Sequence, residues 1–451
     1  ALHFLPSALR SAKDGERIDD IWWALYDWAL LNGYDDSVHT IGAGLFYNSR
    51  AQALSKGLIE SLFLKNKTLR GSVTLLEAYR KCPFAFFAKY GLKLKERQEY
   101  DFAAPDLGTL VHAVLRCIGE RLLEEGRPWR ELKDDEILSL CTVETERAAA
   151  EAANNILMSD AYFRQIKNRV VATLVRTVRQ LRDFSEGSEF SVRALEQPFG
   201  TKGAWEGLSF NLPDGVKVEL VGQIDRVDTL ELDGRTFILI VDYKSGKKSI
   251  TLPEVYSGLE LQLFLYMAVA RRNLGSKAVP AGAVYCRVRN DVQRCSAEPT
   301  AAEKERAYIK AGQLSGFYLN DSDVVRALDD CTMEGRAASP YSGLKINNDG
   351  TLKKAANVSD EAEWYRLLRL VEAAACRSAS ELTGGCIDIY PARWGSSNEH
   401  KACDYCPYAA LCRFDVTAED GNSWNYLGNL SIDDLFPDTV IVKDGGQDGV
   451  D

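Results

Sequence analysis

The sequence has no long hydrophobic run and no leader segment. Its longest apolar stretch, from Ile21 to Leu31, contains Asp27 and is well short of the roughly 18 residues that a membrane-spanning helix requires. No charged segment followed by an apolar one opens the chain, so no secretory signal is visible. We therefore expect no membrane-spanning helix. The first residue is Ala1 rather than Met, and we expect the chain to be a fragment of a longer polypeptide.

The chain also lacks an excess of positive charge. Lys and Arg total 55 and Asp and Glu total 65, which gives a net charge of −10 in 451 residues. This balance excludes a protein that binds nucleic acid through bulk charge alone, so any phosphate binding requires a local basic groove. The composition, 46% apolar and 27% charged, is that of an ordinary globular chain of two or three domains.

A complete ATP-binding loop is missing as well. The segment Ser245 to Ser249 (SGKKS) is similar to the end of a phosphate-binding loop. However, Val241 stands where such a loop needs its leading glycine. We therefore expect no ATPase activity from this chain.

The cysteines do not form a disulfide pattern. Their number, 11, is odd, and several of them fall inside apolar or helical patterns, where a reduced thiol acts as a small hydrophobic side chain. These are Cys117, Cys141, Cys286 and Cys376. Reduced thiols indicate a reducing, intracellular compartment.

Helical periodicity dominates the first 190 residues and the last third of the chain. Residues 1 to about 70 are predicted to be helical, and a long helical region is predicted from about Asp134 to Asp183. A helix from Asp106 places His112 beside an apolar stripe of Leu107, Val111, Leu115, Ile118 and Leu122. After Ala301 the chain is predicted to be mostly helical to about Glu381, and residues 431–451 to be an acidic tail.

Strands are predicted between about Phe190 and Arg289, where the apolar period changes to two. Asp214-Gly215 and Asp233-Gly234 are hairpin signals between the runs 208–212, 217–228 and 235–244. Both faces of the last run are apolar near its start, which predicts a central, covered strand. A helix over Leu259 to Arg272 and a strand over Gly282 to Val288 follow. The pattern predicts an α/β fold with a mixed sheet flanked by helices.

The end of that central strand carries the most informative residues. Asp242 and Lys244 are two positions apart and so share one face of the strand. If the preceding strand pairs antiparallel, Asp225 comes close to Asp242, and two carboxylates suit Mg²⁺ or Mn²⁺. Such a metal can activate water for phosphodiester hydrolysis, with Lys244 orienting that water. The alternative for an isolated acid and lysine is a surface ion pair worth under about 1 kcal/mol.

A second constellation is the run Cys403, Cys406 and Cys412, with C-x2-C-x5-C spacing. Two thiolates at x2 spacing can bind one metal centre from a tight turn. His400 is one candidate for a fourth ligand, in a local zinc site. The other candidate is Cys82, which lies 403 − 82 = 321 residues earlier and would close a very long loop.

The carboxylate constellation resembles the core of the PD-(D/E)xK nucleases, and further elements resemble their RecB-like branch. The resemblance implies that the divalent ion is held by His112, Asp225, Asp242 and the carbonyl of Tyr243. It also implies that Lys244, Gln262 and Tyr266 complete the catalytic site and that Lys247 and Lys248 bind DNA. The leading Pro-Asp of the family is absent, since Ile224 precedes Asp225. Two nearby acids, Glu219 and Asp228, remain alternatives for the metal shell.

A longer series of motifs resembles the C-terminal nuclease region of the AddB family of bacterial helicase/nuclease proteins. The motifs are SVTLLEAYRKCPF (72–84), YGLKL (90–94), DLGTLVH (106–112), DYKSG (242–246) and the cysteine run. The resemblance implies a [4Fe-4S] cluster on Cys82, Cys403, Cys406 and Cys412, with zinc as the alternative metal. It implies a helical end of a helicase-like portion at 1–70, a nuclease domain at 71–430 with a long helical insertion, and a tail at 431–451.

The same resemblance implies a function. A Mg²⁺-dependent deoxyribonuclease is expected, acting in the bacterial cytoplasm on DNA ends and single-stranded DNA. It would work beside an AddA-like helicase-nuclease partner in double-strand break repair and cut the 5′-terminated strand. Two alternatives remain, a catalytically silent scaffold that binds DNA ends in the same complex and a stand-alone Cas4-like nuclease.

Overall fold

A computed structural model describes twelve parts of the chain. They are residues 1–46, 51–95, 104–152, 161–202, 204–246, 248, 250–288, 300–330, 338–347, 352, 357–416 and 423–428. The predicted tail and Lys247 lie outside the described residues. Among the helices of the described residues, none is long and apolar enough to cross a membrane.

The described residues form fifteen α-helices and thirteen strands. In chain order the helices are α1 (Leu5–Lys13), α2 (Asp20–Leu31), α3 (Asp35–Leu45), α4 (Lys56–Phe63), α5 (Val73–Lys81), α6 (Pro83–Phe86), α7 (Ala104–Glu124), α8 (Asp134–Ala152), α9 (Ala161–Glu186), α10 (Leu252–Tyr256), α11 (Gln262–Leu274), α12 (Ala301–Ala311), α13 (Ser322–Leu328), α14 (Glu361–Thr383) and α15 (Ala409–Cys412). The strands are β1 (Leu64–Lys65), β2 (Thr68–Gly71), β3 (Ser191–Phe199), β4 (Ser209–Asn211), β5 (Lys217–Leu220), β6 (Gly222–Leu232), β7 (Arg235–Lys244), β8 (Ala278–Arg287), β9 (Ser315–Leu319), β10 (Val358–Ser359), β11 (Ala392–Trp394), β12 (His400–Lys401) and β13 (Asn425–Tyr426). The predicted α/β fold is confirmed.

The main sheet of the described residues has six strands in the order β10-β9-β8-β7-β6-β3. Strand β7 pairs parallel with β8 and antiparallel with β6, and β6 pairs antiparallel with β3. Strand β9 runs antiparallel to β8. Therefore the carboxyl ends of β3, β7 and β8 and the amino ends of β6 and β9 lie along one edge of the sheet. We call this the Asp242 edge, after the residue near the carboxyl end of β7.

The hairpin between β6 and β7 fixes the register at that edge. Asp233 and Gly234 form its turn with positive φ angles of 51° and 71°, as a tight two-residue hairpin turn requires. The turn sets the pairing of Thr229 with Ile238 and of Arg226 with Val241. The predicted hairpin and the predicted central strand over Arg235–Lys244 are both confirmed.

Helices cover both faces of the sheet. Asp242 contacts Gln262 of α11, whereas the ring of the next residue, Tyr243, lies 5.9 Å from the ring of His112 in α7. Successive side chains of a strand point to opposite faces, so α11 and α7 lie on opposite sides of β7. The α11 side is packed by Phe264, Phe317 and Trp364, whose ring centroids are 5.1 to 5.8 Å apart. The predicted helical insertion, α8 and α9, packs beyond α7.

Three secondary-structure predictions were wrong. The predicted continuous strand over 217–228 is two strands, because β5 joins a four-stranded sheet in the order β1-β2-β5-β4 and β6 joins the main sheet. Residues 64–71, predicted as helical, form β1 and β2, since β2 pairs parallel with β5. Strand β9 interrupts the region predicted as helical after Ala301. In each case, pairing with a strand distant in sequence overrides the local pattern.

Candidate active site and metal centre

The predicted metal ligands lie close together at the Asp242 edge. His112 extends from α7, and Asp225 lies at the amino end of β6. The Nδ1 atom of His112 lies 3.5 Å from Oδ2 of Asp225 and 3.5 Å from Oε1 of Glu196. The Nε2 atom of His112 lies 3.0 Å from the Tyr243 carbonyl oxygen. In the described residues, His112, Glu196 and Asp225 form a group whose ligand atoms all lie within 4.8 Å of one another.

Asp225 joins this group to the end of β7. Its Oδ2 accepts a hydrogen bond of 2.8 Å from the backbone N–H of Tyr243. Asp225 is 8% exposed and Asp242 is fully buried. The two carboxylates thus come from adjacent antiparallel strands, as the sequence predicts.

Helix α11 holds the predicted catalytic acid and lysine together. Nζ of Lys244 lies 2.5 Å from Oδ2 of Asp242. Gln262 bridges the pair, since its Nε2 donates to Oδ1 of Asp242 at 2.9 Å and its Oε1 accepts from Lys244 at 3.2 Å. Tyr266, one turn later, accepts a 3.0 Å hydrogen bond from Gln262. Gln262 and Tyr266 therefore lie on one helix face, where they orient the acid and the lysine.

Burial and charge shift the proton affinities at the edge. Burial first, and then the charge of Asp225, raises the pKa of Asp242 to about 6, although Lys244 opposes this. Burial lowers the pKa of His112, but its hydrogen bonds to Asp225 and Glu196, together with their charges, raise it to about 10. A protonated imidazole between two carboxylates indicates that this position favours a positive charge.

The donor set suits a hard divalent ion. It combines one imidazole nitrogen, the carboxylates of Glu196 and Asp225, and the carbonyl of Tyr243, with Asp242 on the adjacent strand. Oxygen-rich sets of this kind fit Mg²⁺ and Mn²⁺. No soft thiolate ligand takes part among the described residues of this group.

Glu196 was not predicted as a site residue from the sequence. Its neighbours Leu195 and Gln197 pair with Arg226 and Ile224, so Glu196 lies opposite Asp225 in the sheet. Its φ is +43°, a left-handed conformation that costs a non-glycine residue about 1 kcal/mol or more and is typical of functional positions. The only sequence signal was an acid within a predicted strand.

Glu77 was quoted in a motif but given no role, and the structure gives it one. It is 6% exposed. Its Oε1 accepts hydrogen bonds from the backbone N–H groups of Leu261 at 2.7 Å and Gln262 at 3.0 Å. These are unpaired donors at the start of α11, where the helix dipole favours a carboxylate. Glu77 thereby positions the helix that carries Gln262.

The alternative acids are not part of the site. Asp228 lies on the opposite face of β6, where it forms a buried ion pair of 2.8 Å with Arg226. Glu219 is on β5 and pairs with Lys217 at 2.7 Å. Neither carboxylate belongs to the group around His112.

Lys248, predicted to bind DNA, is tied to a carboxylate. Its Nζ lies 2.6 Å from Oε2 of Glu260, and it lies 4.9 Å from the ring centre of Tyr285. The hydroxyl of Tyr285 donates to the same Glu260 oxygen at 3.1 Å. Its DNA contact stays a prediction.

The predicted four-cysteine cluster is not shown by the structure. Within the described parts of the chain, no three cysteine sulfurs come within 4.8 Å of one another. Without a bound metal, thiols have no attractive interaction that would bring their sulfur atoms together. Burial first, and then the charges of Cys82, Cys406 and Cys412, raises the pKa of Cys403 to about 12. The local alternative ligand, His400, is exposed on β12, and its ring centroid lies 5.8 Å from that of Trp394.

Comparison with protein families agrees with this geometry. A family model for the PD-(D/E)XK nuclease superfamily matches residues 70–413. The chain belongs to the PD-(D/E)XK nuclease superfamily. A second model, for the fifth domain of the ATP-dependent helicase/deoxyribonuclease AddB, matches residues 1–39. The nuclease match begins near the predicted boundary at residue 70, which itself stays a prediction.

Two relatives in the comparison carry the same name. An ATP-dependent helicase/deoxyribonuclease subunit of Desulforudis audaxviator is 34% identical over 440 residues, covering 96% of this chain and 37% of the relative. The protein of that name from Bacillus thuringiensis is 35% identical over 437 residues, covering 95% of this chain and 36% of the relative. The chain thus spans little more than a third of these relatives. The resemblance to the AddB family is confirmed.

Metal binding to the nuclease site should release a proton. At pH 8 His112, with a pKa of about 10, carries a proton that it must lose before its nitrogen can bind a metal, whereas Asp242, with a pKa of about 6, is already ionised. We expect Mn²⁺ affinity to rise about tenfold per pH unit between about pH 7 and 9. Below about pH 6 affinity should fall more steeply, because Asp242 also takes up a proton. Titration calorimetry in buffers of different ionisation enthalpy measures the released proton.

The matched control is His112→Gln, which removes the titrating group. This variant should bind Mn²⁺ more weakly and release no proton near pH 8. Equal affinities of the unaltered chain at pH 7 and pH 9 would contradict the assignment of His112 as a ligand.

Loss of the Glu77 carboxylate should slow cleavage without removing any group from the metal site. Glu77→Ala leaves two buried N–H groups without their acceptor, which costs about 1–3 kcal/mol of stability. The start of α11 then shifts, and with it Gln262. Because small misplacements of positioning groups cost up to about a hundredfold in rate, we expect kcat to fall by about tenfold to a hundredfold with little change in KM. Steady-state cleavage kinetics at 20 °C measure both constants.

Glu77→Gln is the conservative control, since its amide oxygen can still accept both hydrogen bonds. It should recover most of the lost kcat. If Glu77→Ala cleaves as fast as the unaltered chain, Glu77 has no positioning role.

Proposed function

We propose that the chain is a divalent-metal-dependent deoxyribonuclease that hydrolyses phosphodiester bonds at DNA ends. One observation supports this most strongly. His112, Glu196 and Asp225 form one group, and Asp225 accepts a hydrogen bond from the backbone of Tyr243. The preceding residue, the buried Asp242, contacts Lys244. A surface ion pair, the alternative for an isolated acid and lysine, would not be buried and bridged by Gln262.

Each side chain has a task in the proposed reaction. His112, Glu196, Asp225, Asp242 and the Tyr243 carbonyl would hold the ion. A bound Mg²⁺ or Mn²⁺ supplies Lewis-acid polarisation of the phosphate and lowers the pKa of water. Lys244 orients the attacking water and stabilises negative charge that grows on the phosphate. Gln262 holds the acid and the lysine in register, and Tyr266 holds Gln262.

The biological setting follows from the relatives, whose name describes one component of an ATP-dependent helicase/deoxyribonuclease. We propose that this chain serves as the nuclease part of such a component and works with an AddA-like partner. Its substrates are DNA ends and the single strands that unwinding produces, in the cytoplasm of a bacterium. Cutting of the 5′-terminated strand is part of the proposal.

We further propose a [4Fe-4S] cluster on Cys82, Cys403, Cys406 and Cys412. Hydrogen bonds that connect the two distant cysteine segments support it. The Tyr408 hydroxyl donates to the Leu94 carbonyl at 3.1 Å, and the Phe84 N–H donates to the Asp388 carbonyl at 3.2 Å. Zinc is the alternative metal, because spacing alone does not select iron.

A cleavage assay tests the proposed activity. The chain, purified under nitrogen together with an AddA-like partner, is incubated with end-labelled single-stranded and duplex DNA in Mg²⁺, Mn²⁺, Ca²⁺ or EDTA. We expect cleavage in Mg²⁺ and Mn²⁺ and none in EDTA. Tight binding of DNA ends without cleavage in either metal would instead establish the silent scaffold.

A further inference from the structure

We propose that a cationic cavity beside Lys244 binds backbone phosphates of the DNA strand that is cleaved. The bound phosphates are those next to the cleaved linkage. This proposal rests on the proposed nuclease function and adds the path of its substrate. The cavity has a volume of about 510 Å³. We call it the β8–β9 pocket.

The pocket lies along the Asp242 edge, on the side away from the metal ligands. Glu196 and Asp225 of the metal group lie on β3 and β6, on one side of β7. The β8–β9 pocket lies on the other side, where Arg287 ends β8 and Ser315 and Gly316 begin β9. Lys244, at the end of β7, lies between them, because its Nζ contacts Asp242 and its side chain lines the pocket. A strand bound along this edge would therefore pass from one to the other.

The lining has the chemistry of a phosphate site. Four cations, Lys244, Lys248, Arg287 and Lys310, line it, and the described lining residues include no carboxylate. This is unusual in a chain with net charge −10. Amide and hydroxyl groups of Gln313, Asn357, Ser315 and Ser342 add neutral hydrogen-bonding groups. A cluster of cations with such groups recognises a polyanion through its phosphates.

Two of the four cations in the pocket lining, Lys244 and Lys248, form ion pairs with carboxylates. Asp242 fixes Lys244 and Glu260 fixes Lys248, at 2.5 Å and 2.6 Å. These lysines are pre-oriented and partly neutralised. Lys310 differs, because it is an exposed residue in the last turn of α12. Its charge should therefore contribute most to binding that depends on salt.

The pocket favours a nucleic-acid strand over a free anion. Its volume far exceeds that of one phosphate group, and Lys244 connects it to the proposed cleavage site. Glycines at 246, 316 and 343 line it, which lets a sugar-phosphate backbone approach the main chain. Free inorganic phosphate would satisfy only part of this surface.

Lys310→Ala tests the pocket, and Lys304→Ala is the matched control. Lys304 is an exposed lysine of the same helix and is not part of the pocket lining. Binding of a fluorescent single-stranded oligonucleotide to the full chain is measured by anisotropy in EDTA, over a range of salt. We expect Lys310→Ala to raise Kd about threefold to tenfold and to reduce the salt slope by about 0.7, the value for one phosphate contact on a single strand. Lys304→Ala should change neither quantity, and Lys310→Arg should keep both.

A second measurement locates the contact. A single uncharged methylphosphonate linkage is moved along the oligonucleotide. At one position it should weaken binding to the unaltered chain as much as Lys310→Ala does, with no further loss when both changes are combined. Competition by inorganic phosphate alone at millimolar concentration, without this position dependence, would show a free-anion site and overturn the proposal. So would oligonucleotide binding that Lys310→Ala leaves unchanged.

Failure of the pocket and failure of the nuclease have different results. If the unaltered chain cleaves DNA in Mg²⁺ but Lys310→Ala binds and cleaves normally, only the pocket proposal is wrong. If the unaltered chain binds DNA through Lys310 but cleaves it in no metal, the proposed function is wrong and the binding site remains. If it binds no single-stranded DNA, the pocket proposal is wrong.

Discussion

Asp242→Asn should reduce DNA cleavage by at least about a thousandfold while the protein stays folded. The substitution removes the buried carboxylate that lies between the metal group and Lys244. An asparagine oxygen binds a divalent ion far more weakly than a carboxylate does. The lysine also loses the charge that holds it, although Gln262 still contacts it. Single-turnover cleavage in saturating Mg²⁺ measures the loss of rate.

The fold should tolerate this change because the charge of Asp242 is costly in the native state. Burial raises its pKa to about 6, so the environment disfavours the charged form more than water does. Asparagine has the same shape and can still accept from Gln262. The thermal unfolding transition should therefore stay within a few degrees of that of the unaltered chain.

Glu219→Gln is the matched control for an acid that the sequence leaves as an alternative ligand. Glu219 is exposed to a moderate degree and pairs only with Lys217 among the described contacts. We expect its variant to cleave at the normal rate. If Asp242→Asn retained full activity, or if Glu219→Gln lost it, the site assignment would be wrong.

Cys406→Ser should produce the largest loss of stability. A cluster that joins Cys82 to Cys403 closes a loop of 403 − 82 = 321 residues. Closing a flexible loop of that length costs the unfolded chain about 5 kcal/mol of entropy. Loss of the cluster removes this constraint, so we expect the melting temperature to fall by about 10 °C or more. The brown colour of the anaerobically purified protein should disappear with it.

Cys117→Ser is the control for the loss of a thiol. Cys117 lies on α7 and is not one of the four proposed cluster ligands. Its variant should keep both colour and melting temperature. A colourless unaltered protein that contains stoichiometric zinc would replace the iron–sulfur cluster with the zinc alternative. A metal-free protein of normal stability would contradict both the iron–sulfur and the zinc proposals.

Residues near one another in sequence account for most of what could be predicted. The Asp-Gly turn, the apolar run from Arg235 and the D-x-K spacing are local features, and each has one favoured geometry. They were sufficient to predict the hairpin, the central strand and the approach of Asp225 to Asp242. The helical stripe beside His112 was predicted for the same reason, and Val111, Leu115 and Ile118 are buried.

Other features depend on which distant segments pair. The split between β5 and β6 follows from the pairing of β5 with β2, about 150 residues earlier. Residues 217–228 alone contain no signal for it beyond a glycine. Strand β9 is an apolar run too short to distinguish from a buried helix by periodicity, and its pairing with β8 decides its state.

The sequence by itself determined the central hairpin, the acid–lysine pair and the family to which the chain belongs, because these depend on short-range spacing. Only the tertiary structure decided that Glu196 faces Asp225, that Glu77 caps α11, and that Lys310 shares a cavity with Lys244. Each of these contacts joins segments far apart in the chain. A local sequence pattern predicts the conformation of a segment but not the distant segment with which it pairs. The Asp242 edge depends on such long-range pairing.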